Sequence, residues 1–380
     1  MKSKSNTLRA GSSLTRNDTG DKNYPVAFTR NTKPKIGAQF ELGTDLSSQT
    51  IKIKATGSGG IAIPETTATV SGGTVTLPET ESTGAFVNTI KHYDHETSGK
   101  EFELAWEMQI GSSGWFSVGE TKHTLYLTLA DPVTTLRQET LFEISCRNAD
   151  GIDQTSQVTE AIWSEFTDRV VKRVDGHQLT YYDNYTCSVT STEGLLANGD
   201  GQCGSWAKFF IDLRKVHGID DSNEYIIFEP IADDGFVVKN WSFTGSGTSG
   251  HPTHPYLNIP DSSLIGSNSY NWKYAEVDDA SGIPGQGNSN PASLFNNHQV
   301  VISGEYYDPS YGQKHASLQA IDDNAIDGYY VQGTYPVDEP AVNLDLNGDG
   351  DKIDLAVTTY VLLFSKNPAG LDLRETPYNY

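Results

Sequence analysis

The sequence predicts a two-domain α+β protein: an antiparallel β-sandwich first, then helices packed on an antiparallel sheet. Three observations carry this reading. From Tyr24 to Leu129, apolar and polar residues alternate in short runs between turn clusters. Beyond the Asp131-Pro132 step the period becomes that of amphipathic helices. Later segments return to strand patterns, and 380 residues are many for one core.

Residues 1–24 are polar, with little to bury, and read as a flexible lead-in. Residues 25–130 read as an immunoglobulin-like sandwich of regularly spaced strands without helical windows. In EFELAWEMQI, Phe102, Leu104, Trp106 and Met108 share one face, and Glu101, Glu103 and Glu107 the other. HTLYLTL turns Leu125, Leu127 and Leu129 inward in the same way. Spacing or docking is the role expected of this region.

Residues 131–380 begin with two amphipathic helices, TLRQETLFEISCRNADG and SQVTEAIWSEFTDRVVKRVDG. In the second, Ile162, Phe166 and Val170 recur every fourth residue, beside Val158, Trp163, Val171 and Val174, and Gly176 follows as a stop. Strands are expected at EYIIFEP and FVVKNWSF. Residues 244–296 are rich in Gly, Ser, Asn and Pro, which suits a lid or substrate wall, with disorder as the competing reading. Tyr256, Leu257, Tyr270, Trp272 and Tyr274 give this stretch material with which to pack.

The charge narrows the partners. With 49 acidic against 27 basic residues the net charge is −22, which disfavours nucleic acid and anionic membrane surfaces. No apolar run reaches membrane-spanning length, and MKSKSNTLRAGSS lacks the hydrophobic stretch of a signal peptide. The acidity is compatible with bound cations and with an extracellular or cell-surface setting. Three cysteines, Cys146, Cys187 and Cys203, are too few for a disulfide scaffold, and no CxxC pair suggests zinc. If Cys146 and Cys187 pair, Cys203 is the odd thiol.

Cys203 stands where a thiol can be activated. A glycine-rich loop, Gly199-Asp200-Gly201-Gln202, delivers it to the start of a helix whose apolar positions are Trp206, Phe209, Phe210, Leu213 and Val216, with Gly218 as a stop. Unpaired N–H groups and the positive end of the helix dipole favour thiolate over thiol there. The competing reading is a small buried hydrophobe.

The partners for such a thiol lie in NNHQVVISGEYYDPSYG. If Ile302-Ser303-Gly304 is a three-residue hairpin loop with Gly304 left-handed, Val301 faces Glu305 and His298 falls opposite Asp308. A two-residue Ser303-Gly304 turn would place them on opposite faces. A facing imidazole and carboxylate are what a thiol-dependent site requires: one takes the cysteine proton, the other orients the ring. An exposed histidine on a polar hairpin is the alternative.

The run Cys203, Ala207, Phe210, Leu213, Arg214, Gly218 and Ile219, followed by His298 and then Asp308-Pro309-Ser310, resembles the transglutaminase-like superfamily in both motif spacing and order. The resemblance covers roughly 135–335. It implies a papain-like α+β core and a Cys203-His298-Asp308 triad that attacks an amide carbonyl to form a thioester. It also implies a protein or peptide substrate and no cofactor required for catalysis. Amine resolves the thioester in transamidation and water in hydrolysis, with peptide hydrolysis favoured. The backbone N–H of Cys203 is a candidate oxyanion donor. GQCGSWA departs from the GQCW of animal transglutaminases, placing Trp206 three residues after the cysteine, where it is a candidate substrate contact.

Near the C-terminus, LDLNGDGDKIDLAV spaces Asp345, Asn347, Asp349, Asp351 and Asp354 around Gly350, as in an EF-hand or dockerin-type calcium loop. Ala356 occupies the usual acidic twelfth position, so a plain turn competes with a structural Ca²⁺. His251 and His254 in HPTHP lack an evident third metal ligand. The alternative to an enzyme is an inactive adhesion or scaffold protein with a calcium-stabilised loop.

Overall fold

The computed structural model describes residues 25–42, 46–47, 49–183, 187–220, 225–231, 235–238, 245–248, 271–276, 283–291, 294–334, 359–364 and 373–378. The N-terminal lead-in, the calcium-loop residues Asp345, Asn347, Asp349, Asp351 and Asp354, and also His251, His254, Tyr256, Leu257 and Tyr270, lie outside the described residues. The fold is mixed α+β and mostly sheet, with five α-helices among the described residues. The chain forms two compact units: Met1–Glu165 with Asp212–Asp220, and Phe166–Ile211 with Asp221–Tyr380.

In the first unit, strands β1 (Ala27–Thr29), β2 (Lys35–Glu41), β3 (Ile51–Gly57), β4 (Ala62–Ser71), β5 (Thr74–Glu81), β6 (Lys91–Tyr93), β7 (Phe102–Ile110), β8 (Phe116–His123) and β9 (Leu125–Thr128) form two sheets. Their orders are β2-β5-β4-β3-β7-β8 and β1-β9-β6. The first is antiparallel throughout, whereas β1 runs parallel to β9. Alternation in β7 buries Phe102, Leu104, Trp106 and Met108 in one core with Ile51, Ile53, Val75, Leu77, Leu125 and Leu127. Each such side chain contributes roughly 1.5–3 kcal/mol by leaving water.

β9 departs from the simple alternation, because all four of its residues are buried. Its outer face meets helix α1 (Glu139–Asn148), and the Tyr126 hydroxyl reaches Glu143 at 3.2 Å. The second predicted helix is shorter than its apolar pattern. Helix α2 (Thr155–Trp163) runs into a 3₁₀ turn at Ser164–Phe166. The chain then reverses, with Arg169 at φ +61° and Lys172 bridging Gln178. Val170 and Val174 are exposed instead of lining a helix face. Paired β-branched residues before a Val-Asp-Gly turn suit extended chain better than helix.

In the second unit, β10 (Thr180–Tyr181), helix α3 (Thr192–Asn198) and β11 (Asp200–Gly201) lead into helix α4 (Cys203–Lys215). The unit division falls inside α4, between Ile211 and Asp212. The later strands are β12 (Tyr225–Pro230), β13 (Gly235–Val238), β14 (Gly245–Thr248), β15 (Asn271–Glu276), β16 (Leu294–Phe295), β17 (His298–Ile302), β18 (Tyr306–Asp308) and β19 (Gln313–His315). Helix α5 (Leu318–Ala325) and strands β20 (Ile326–Thr334), β21 (Thr359–Phe364) and β22 (Leu373–Tyr378) complete it. One sheet has the order β19-β18-β17-β12-β22 and the other β14-β15-β21-β20-β13-β16.

Candidate active site

Helix α4 begins at Cys203. Its apolar residues Trp206, Phe209 and Phe210 are fully buried, which anchors the N-terminal part of the helix in the second unit. The loop ahead is equally constrained. Gln202 donates through its backbone N–H to the Val189 carbonyl at 2.9 Å and through its side chain to the Cys187 carbonyl at 2.6 Å. Ser205 Oγ closes back on the Gln202 carbonyl at 2.7 Å. A Cβ on Gly201 would collide with Ser205 Oγ, which would have to move aside. Cys203 is buried to 7% exposure, and all three cysteines are free thiols.

His298 opens β17, and its register differs from the sequence expectation. Val301 pairs with Tyr307 and Ile302 with Tyr306, so the hairpin loop is Ser303-Gly304-Glu305, one residue later than Ile302-Ser303-Gly304. Gly304 still takes the left-handed conformation, at φ +81°. Continued outward, this register puts Asp308 beside Val300 instead of opposite His298. The shift of two preserves the sheet face. His298 Nε2 therefore meets Asp308 Oδ2 at 2.9 Å. Asp308 Oδ1 accepts the Ser310 backbone N–H at 3.1 Å, which holds the carboxylate still.

The imidazole sits among aromatic rings: Phe228 at 5.4 Å, Phe295 at 5.5 Å, Tyr311 at 5.7 Å and Tyr181 at 6.5 Å between centroids. Burial works against its charge, but the Asp308 carboxylate outweighs burial, and Cys203 adds to the effect. The result is a His298 pKa raised to about 10. With Nε2 engaged by Asp308, Nδ1 is the ring atom left for the thiol. It makes no hydrogen bond of good geometry, although Cys203 lies close enough to favour the charged ring. Such loose nucleophile–base contacts are common in unliganded sites.

Several residues around this centre carry no sequence signal of their own. Gln286, in the loop 283–291, donates both amide hydrogens, to Phe166 O at 2.8 Å and Pro309 O at 2.9 Å. Its backbone N–H donates to Ser310 O at 2.9 Å, and its carbonyl accepts from Tyr181 N at 2.7 Å. Asn288 Nδ2 donates to the carbonyls of Tyr181 and Tyr182, at 3.0 and 2.8 Å. This loop thus ties the Asp308 turn to β10, and β10 pairs with the strand immediately ahead of Cys203, Tyr181 against Gly201.

Trp206, the candidate substrate contact, has another task. Its indole N–H donates to Thr180 O at 3.3 Å, and its fully buried ring packs edge-on against Phe166 and Phe209. The indole thus links α4 to β10. On the sheet side, Phe228, Phe236, Val238, Val300, Ile321 and Ile326 line a small recess that His298 and Asp308 also border.

Compared with models of known protein families and with curated proteins, the chain matches none. Among the described residues, no helix is long and apolar enough to cross a membrane.

Proposed function

We propose that this protein performs thiol-dependent amide-bond chemistry, as a transglutaminase-like cysteine hydrolase or acyltransferase. The observation that carries the reading is His298, an enclosed imidazole kept charged by Asp308 and adjoining a cysteine at a helix start. In this reading the Cys203 thiolate, paired with the His298 imidazolium, is the attacking species. Cys203 Sγ attacks an amide carbonyl, and His298 delivers the proton to the departing amine, leaving a thioester. His298 then acts as base toward the water or amine that releases the acyl group. Asp308 keeps the ring oriented and compensates its charge.

The substrate class is protein or peptide, with hydrolysis preferred over crosslinking. The apolar recess beside His298 and Asp308 suits an apolar substrate side chain. In the same reading residues 25–130 are an immunoglobulin-like sandwich and residues 131–380 a papain-like core.

The test uses peptide amides and glutamine peptides as substrates. Cys203→Ala and His298→Ala each abolish turnover, while iodoacetamide labels native Cys203 far faster than the denatured chain. Turnover retained in either variant, or equal labelling rates in folded and unfolded protein, overturns the proposal.

A further inference from the structure

We propose that Tyr181 is a catalytic residue whose hydroxyl donates a hydrogen bond to the oxyanion formed when Cys203 attacks. This rests on the thiol chemistry proposed above and adds the group that stabilises its transition state. The Tyr181 side chain is fully buried, and its hydroxyl has no hydrogen-bond partner of good geometry. An enclosed phenol without a partner costs stability, and such groups persist where function uses them.

Tyr181 is also rigidly placed. Its backbone is held by Gln286 and Asn288, and it pairs with Gly201, two residues ahead of Cys203. Its ring packs edge-on against Tyr311 at 5.2 Å and lies 6.5 Å from His298. Burial first, then Tyr311, Cys203 and Asp308, push its ionisation well above the ordinary tyrosine value. The phenol therefore remains a donor at any working pH. The Tyr181 hydroxyl eases the ionisation of Tyr311 through a side-chain contact that falls short of good hydrogen-bond geometry.

Sγ bonds the carbonyl carbon, and the C=O π pair moves onto oxygen, which accepts hydrogen bonds from Tyr181 Oη and the Cys203 backbone N–H. When that pair returns, the bond to the leaving group breaks. An amine leaves with the proton from His298, whereas p-nitrophenolate leaves as the anion.

The experiment compares wild type with Tyr181→Phe in two reactions at Cys203. Acylation by p-nitrophenyl acetate passes through an oxyanion, and alkylation by iodoacetamide does not. Acylation is expected to fall about 10²–10³-fold, the usual loss for one oxyanion donor. Alkylation is expected to be unchanged, and the melting temperature equal or higher because an unpartnered hydroxyl is removed. Acylation at the wild-type rate, a matching loss of alkylation, or a lowered melting temperature each overturns the assignment. Wild-type Cys203 inert to both reagents is a separate outcome: it removes the thiol chemistry itself, and the assignment with it.

Discussion

His298 reaches Asp308 diagonally across the β17–β18 hairpin, Nε2 to Oδ2 at 2.9 Å, with the carboxylate two residues along from the position directly opposite. Both side chains project from one sheet face, so the ring is gripped by an acid that a backbone N–H also steadies. The charge on His298 depends on that acid, because burial alone pulls the other way.

Asp308→Asn therefore leaves burial opposed only by the weaker effect of Cys203. The His298 pKa should drop from its raised value toward the ordinary 6.5 or beneath it, so that the ring loses its charge at a lower pH. Imidazole NMR shifts followed against pH measure this directly. Turnover, where a substrate is found, should fall about 10²–10⁴-fold. A ring that stays charged at neutral pH in the variant would show that Asp308 is not what holds the proton.

Stability should follow pH with a definite sign. A histidine pKa raised to about 10 on folding means the native chain binds this proton more tightly than the unfolded chain does. The contribution is complete below about pH 6.5, the unfolded value, and is lost as pH rises through the folded one. Urea unfolding of wild type and His298→Gln across pH 6–10.5 should show the gap between them narrowing toward the alkaline end. Its slope should not exceed about 1.4 kcal/mol per pH unit. A gap that widens with pH contradicts the assignment.

Gln286→Leu keeps the side-chain bulk but removes both amide donors. The carbonyls of Phe166 and Pro309 each lose one bond in a fully enclosed place. The expected cost is about 1–3 kcal/mol per carbonyl, read as a lower urea midpoint. Cys203 alkylation should also slow, since the same loop anchors β10 and the Asp308 turn. Unchanged alkylation alongside lowered stability would mean the loop supports the fold without aligning the site.

Gly201→Ala drives a methyl group into Ser205 Oγ and against Leu195. The overpacking should cost about 1–3 kcal/mol and displace the first turn of α4, slowing alkylation. Gly201→Ala with Ser205→Ala removes the struck oxygen and should recover part of both losses, a coupling of about 0.5–3 kcal/mol. Purely additive melting temperatures would place the strain elsewhere.

Much of the local structure is legible in the residues themselves. The apolar spacing from Trp206 to Val216 marks α4, and the glycine-rich loop marks its start at Cys203. Gly304 marks the left-handed position of the hairpin. What spacing could not supply is long-range. The hairpin register depends on β17 pairing with β12 on its other side, Val300 against Ile226, and not only on the loop. β9 is buried on both faces because α1 covers it, which alternation within seven residues cannot express. The rings around His298 come from β10, β12, β16 and the turn after β18. Tyr181 and Tyr311 look like any strand or turn tyrosine until those elements meet.

The division inside α4 bears on how this polypeptide can be handled. Within the first unit, Thr134 donates to Asp212, Ser145 Oγ to the Leu213 carbonyl, and Arg214 to Thr159, at 3.0, 2.7 and 3.1 Å. A truncated product ending at Glu165 would be missing those later residues and would expose hydrophobic surface made to be covered. Expression by halves should yield insoluble material, and limited proteolysis should release no stable N-terminal piece.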